Sequence, residues 1–102
     1  MVREIEDHRV ALEAVCRRFQ VRRLELFGSA VGETFDQASS DLDFIVEFDD
    51  KPAAGYADAY FGLAEALKDL FHRDVDLVVL SAVKNPYFRE SIEQSRTLLY
   101  AA

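Results

Sequence analysis

Apolar and polar positions along this chain follow two different periods, and the switches between them mark the predicted elements. Between residues 4 and 20, Ile5, Leu12, Val15, Cys16 and Phe19 recur at helical spacing with charges opposite, which predicts an amphipathic helix. Arg22 to Phe27 reads as a strand ending at Gly28, with a short helical turn from Ser29 and a polar loop over 33–40. Leu42 to Phe48 is apolar enough for a central strand and is closed by Asp49-Asp50-Lys51-Pro52. The helical period returns from Tyr56 to His72, with Tyr60, Leu63, Ala64, Leu67, Leu70 and Phe71 as its buried stripe. Val75 to Leu80 is a third strand, β-branched and apolar apart from Asp76. Asn85-Pro86 reads as cap and first residue of a helix running to Ser95, and Thr97 to Tyr100 adds a short edge strand. The order αβ(α)βαβα(β) predicts an α+β (α/β-like) fold, a small mixed β-sheet flanked by helices. With no linker, repeat or low-complexity stretch, residues 1–102 are expected to form a single domain.

Composition narrows the partners. Half the residues are apolar and 30% are charged, as in ordinary folded proteins. The net charge of −7 argues against direct binding of nucleic acid, which needs clustered Lys and Arg, and suits a basic protein partner. Arg17, Arg18, Arg22 and Arg23 make only a local basic cluster, expected to be solvated. Acidic residues concentrate between Leu24 and Asp50, which holds eight acids and no Lys or Arg. Cys16 is the only cysteine, expected as a core thiol in a reducing cytoplasm. Charges throughout Arg3–Arg9 leave no signal-peptide core, and no apolar run approaches the roughly 20 residues of a membrane helix.

Chemistry is suggested by three acids and a turn. Phe27-Gly28-Ser29 leaves one strand, and Asp41-Leu42-Asp43 opens the next. Residues two apart on a strand share a face, so Asp41 and Asp43 would present their carboxylates together. Two like charges roughly 4 Å apart repel by about 4 kcal/mol at an effective dielectric near 20, so a cation is expected between them. A hard divalent cation such as Mg²⁺ takes such oxygen ligands and shares them with phosphate. Asp76, inside an otherwise apolar strand, joins the pair if its strand lies beside theirs, and three acids can then hold two ions that clamp a phosphoryl displacement. Gly28 allows close backbone approach, and Ser29 at a helix start can hold phosphate oxygens. His8 and His72 show no metal-ligand spacing, and Tyr56, Tyr60, Tyr87 and Phe88 are candidates for the core or for a partner-facing patch.

Leu26-Phe27-Gly28-Ser29, Ser40-Asp41-Leu42-Asp43, the Asp76 strand and the Lys84-Asn85-Pro86-Tyr87 stretch resemble the minimal nucleotidyltransferases (MNT proteins) of the polymerase-β-like superfamily. The resemblance covers most of the chain and implies a polymerase-β-like nucleotidyltransferase core. It assigns Asp41, Asp43 and Asp76 as catalytic ligands of two Mg²⁺ ions and Gly28 and Ser29 to the nucleotide triphosphate. It further implies an antitoxin that transfers AMP from ATP to a tyrosine hydroxyl of a HEPN-domain toxin. Two departures stand out. Eleven residues, Ala30 to Ser40, separate Gly-Ser from the acid pair where the family usually has ten. Val31-Gly32 stands where Arg-Gly is common, removing a positive charge that Lys51, Lys84, metal ions or a partner's arginine could supply. The rival expectation is a catalytically weak or inactive member that neutralises a HEPN ribonuclease by stoichiometric binding. A transferase acting on a small hydroxylated molecule is a third.

Overall fold

The computed structural model describes residues 3–27, 42–49, 55–79 and 82–102. Their elements follow in the order α1 (Arg3–Asp7), α2 (Arg9–Arg18), β1 (Val21–Phe27), β2 (Leu42–Phe48), α3 (Tyr56–Phe71), β3 (Val75–Val79), α4 (Pro86–Ser95) and β4 (Thr97–Ala101). The sheet has strand order β3-β2-β1-β4. β1 is antiparallel to both β2 and β4, while β2 and β3 run parallel and are joined through α3. This is the mixed, helix-flanked α+β sheet that the periodicity predicts.

Burial follows from strand alternation. Leu24, Leu26, Leu42, Phe44, Val46, Leu77 and Leu99 point to one face of the sheet and meet Leu12 and Cys16 of α2 and Ala59, Leu63, Leu67 and Phe71 of α3. A smaller cluster covers the other face, where Ile92 of α4 packs on Phe27 and Ile45 with Val78 and Val83 at its margin. The stripe expected on the long helix is the one observed, since Tyr60, Ala64 and Leu70 also pack against the first cluster. Gly62 lets α3 approach α2: a Cβ there would lie 2.5 Å from the ring of Phe19.

The expected single helix over residues 4–20 is corrected to two. His8 breaks it, with backbone angles φ −109° and ψ 19° and no side-chain cap to announce the break. The His8 amide donates to the Ile5 carbonyl, closing a tight turn, and its ring lies edge-on to Phe71 at 5.6 Å. A contact with α3, remote in sequence, therefore accompanies the break. Further along, Gln20 takes a left-handed φ of 57° to turn the chain into β1, and its carbonyl accepts from the Asp49 amide.

The outer strands of the sheet are β3 and β4. At the β3 edge the Tyr60 hydroxyl donates to the Leu77 carbonyl at 2.6 Å, covering a backbone acceptor that an edge strand would leave open. β4 forms the opposite edge. The expected turn at Ser29, the loop over 33–40 and the strand end at Leu80 lie outside the described residues.

Candidate active site

Alternation along β2 sends Leu42, Phe44, Val46 and Phe48 into the core and leaves Asp43, Ile45 and Glu47 on the opposite face. The parallel register of β2 and β3 then pairs Asp43 with Asp76 and Ile45 with Val78. Neighbouring strands lie about 4.8 Å apart, so the two carboxylates stand side by side. Asp43 is half-buried and Asp76 exposed, because β3 is an outer strand. That position explains how an apolar strand tolerates an acid in its middle.

Phe27, the last residue of β1, pairs with Asp43 from the other side. α4 begins next to this row. The Asn85 side chain caps it, its Oδ1 accepting from the amides of Tyr87 at 2.9 Å and Phe88 at 3.2 Å, with Pro86 at the first helical position. The Phe88 ring thereby comes to 6.1 Å from that of Phe27, tilted by 47°. Asp43, Asp76, Phe27, Val78 and Phe88 line one groove of about 480 Å³. A larger groove of about 620 Å³, between Phe48, Tyr56, Val79 and Arg89, lies at the other ends of β2 and β3 and contains neither acid.

Three of the five expected site residues, Gly28, Ser29 and Asp41, lie outside the described residues. The other two, Asp43 and Asp76, are brought together. Their donors are carboxylate oxygens alone, which suits a hard cation such as Mg²⁺.

One charged group on the same face escaped the sequence reasoning. Glu25, two residues before Phe27 and paired with Ile45, is only 3% exposed. Arg96 grips its carboxylate with two donors, and Arg23 adds a third at 2.9 Å. The hydrogen bonds from Arg96 hold the Glu25 carboxyl below its ordinary range against the opposing effect of burial, and Glu25 in turn pushes the Arg96 guanidinium upward. The signal was present in Leu24-Glu25-Leu26, an acid in an apolar strand just as in the Asp76 strand. Its partner lies 71 residues away, beyond any local pattern.

Other residues singled out in the sequence take definite places in the structure. Cys16 is fully buried, and desolvation, followed by the nearby Glu13 charge, pushes its thiol up to about 12. The basic cluster is divided among separate contacts. Arg18 lies over the Phe19 ring, Arg22 is within 4 Å of Glu47 and Asp49, and Arg23 serves Glu25. Tyr56, Phe61 and Tyr87 are exposed, whereas Tyr60 is spent on the β3 edge. No described helix is long and apolar enough to cross a membrane.

Residues 8–99 match the family described as nucleotidyltransferase domain. The chain belongs to that family. Two proteins of Methanocaldococcus jannaschii, both provisionally named protein adenylyltransferases (MJ0128 and MJ1379), are similar to this nucleotidyltransferase domain. The first is 38% identical over 77 residues, covering 76% of this chain and 74% of its own. The second is 36% identical over 78 residues, covering 76% and 75%. A solved structure described provisionally as a minimal nucleotidyltransferase superposes with a TM-score of 0.73 at 26% identity over 91% of this chain and 90% of the other. The fold is shared also with a chain from the complex of a tri-AMPylated Shewanella oneidensis HEPN toxin with its MNT antitoxin, at TM-score 0.66 and 20% identity over 95% and 72% of the two chains. The family resemblance read from Gly28-Ser29 and the acids is thus the family found.

Proposed function

We propose that this nucleotidyltransferase domain transfers AMP from ATP to a tyrosine hydroxyl of a HEPN-domain toxin and so acts as its antitoxin in the cytoplasm. The observation that carries the reading is the register of Asp43 with Asp76 on adjacent parallel strands, two carboxylates aligned on an accessible face. The provisional names of the two relatives support the adenylyl group as cargo. The fold shared with toxin–antitoxin structures, one AMPylated and one containing AMP-PNP, supports the partner and the nucleotide.

In this reading Asp41, by two-residue alternation, joins Asp43 and Asp76 as the third ligand, and Gly28 and Ser29 hold the triphosphate. Two Mg²⁺ ions, when bound, neutralise the triphosphate and stabilise the attacking and leaving oxygens. The acceptor oxygen forms a bond to the α-phosphorus as the bond to the bridging β-phosphate oxygen breaks, and pyrophosphate leaves. Asp76, the more exposed of the two described acids, takes the hydroxyl proton. In this reading the acceptor surface comes from the partner.

The test mixes the purified chain with the HEPN protein, ATP and Mg²⁺ and weighs the partner by intact mass spectrometry. AMP adducts on tyrosine are expected with the natural sequence and are lost in Asp43→Asn and Asp76→Asn. No adduct, or one unchanged in both variants, removes the transfer reading. A second reading, neutralisation by stoichiometric binding, is favoured by the net charge of −7, which suits a basic protein partner. It requires that single acid substitutions leave toxin neutralisation intact.

A further inference from the structure

We infer that Phe88, supported by Phe27, is a stacking platform for the nucleobase, and that the groove favours purine over pyrimidine nucleoside triphosphates. The inference rests on the nucleotide-transfer reading of the same groove and adds what that reading leaves open, the recognition of the base. The groove is of a size that suits a small ligand. Its lining combines the carboxylates of Asp43 and Asp76 with the apolar Phe27, Val78 and Phe88. A metal–triphosphate fits the carboxylates and a flat aromatic base the apolar surface.

Phe88 has the properties of a platform. Its backbone is fixed by the Asn85 cap, its ring rests on Phe27, and 43% of the residue stays exposed. A base laid against it would remove that apolar surface from water without moving the helix. Reading a base edge with side chains, by contrast, needs hydrogen-bonding groups on them. Among the described lining residues, apart from the acids, only Tyr60 carries one, and its proton is committed to the Leu77 carbonyl. Stacking area is then the main discriminant that the described side chains provide, and purines offer more of it than pyrimidines.

The chain contains no tryptophan, so Phe88→Trp introduces a sole indole at the platform. With Mg²⁺ present, ATP and GTP are expected to quench its emission, CTP less, and inorganic tripolyphosphate not at all. Calorimetric titrations of Phe88→Leu, which keeps apolar packing on Phe27 but has no ring face, should show ATP and GTP binding weakened by about tenfold with tripolyphosphate unchanged. ATP affinity unaltered in Phe88→Leu overturns the inference, as does an equal loss for tripolyphosphate and ATP. A natural-sequence chain that binds tripolyphosphate but ATP no more tightly overturns the platform alone. One that binds neither overturns the nucleotide-transfer reading, and the platform with it.

Discussion

Arg96, the residue that ends α4, clasps Glu25 of β1 through two hydrogen bonds, Nε to Oε2 at 2.7 Å and Nη2 to Oε1 at 2.5 Å. The pair ties the helix that borders the acid groove to the sheet that carries the acids. Arg96 also bonds Glu93 one turn back on α4, so the clasp is held from both sides. Removing Arg96 leaves a carboxylate at 3% exposure with Arg23 as its remaining cationic contact. Arg96→Ala is therefore expected to destabilise the fold by about 3 kcal/mol, measured by urea denaturation. Replacing both partners with apolar residues, Glu25→Met with Arg96→Leu, should cost less than Arg96→Ala alone, because no buried charge is stranded.

The same pair sets a pH dependence. Glu25 is held below its ordinary value of 4.5 in the folded chain, so the unfolded chain binds its proton first as the pH drops. The stabilisation from ionised Glu25 is fully present above 4.5 and is lost as the pH falls through the depressed folded value. The stability difference between the natural sequence and Glu25→Gln should thus be constant near neutrality and shrink in acid. A difference that grows on acidification would contradict the pairing.

Gly62 presents a close approach between helices. Alanine is the better helix former by about 1 kcal/mol, yet its Cβ would meet the Phe19 ring at 2.5 Å. Gly62→Ala is expected to lower stability by about 1–2 kcal/mol through overpacking. In the Phe19→Leu background the same substitution should be neutral or stabilising, a coupling that thermal melts of the four proteins in the cycle would reveal.

The cap of α4 makes a local contribution. Asn85→Ala removes the acceptor for the Tyr87 and Phe88 amides and should cost about 1 kcal/mol. Asn85→Asp keeps an acceptor and adds a negative charge at the helix start, so it should retain full stability. Chemical denaturation at neutral pH checks both.

The aligned acids make a further forecast, since like charges directly opposite one another on paired strands are unfavourable. Asp76→Asn should raise the stability of the metal-free chain by about 0.5 kcal/mol. It should also weaken the rise in melting temperature produced by Mg²⁺, because a ligand that binds only the folded state stabilises it according to its affinity. An unchanged Mg²⁺ response would place the cation away from Asp76.

Much of this architecture was legible along the chain because the signals are local. β2 over Leu42–Phe48 stands out as an apolar run, α3 as four turns of one stripe, and α4 through Asn85-Pro86 at its start. Each rests on neighbours within a few residues. The break at His8 was not legible, since the histidine makes no side-chain cap and its ring contact is with Phe71. Asp43 and Asp76 could be named as ligands from their strands, but their meeting depended on which strands became neighbours and in what register. Phe88 was a candidate for the core or for a partner's face until α4 set it beside Phe27 at the acid groove.

By itself the amino-acid sequence determined the period of each element, the acids available and the family to which they belong, because those properties reside in short stretches of chain. The tertiary structure alone decided that Asp43 stands opposite Asp76 and that Glu25 is buried against Arg96. Such pairings join residues tens of positions apart, and their energy exists only once the sheet has closed around them.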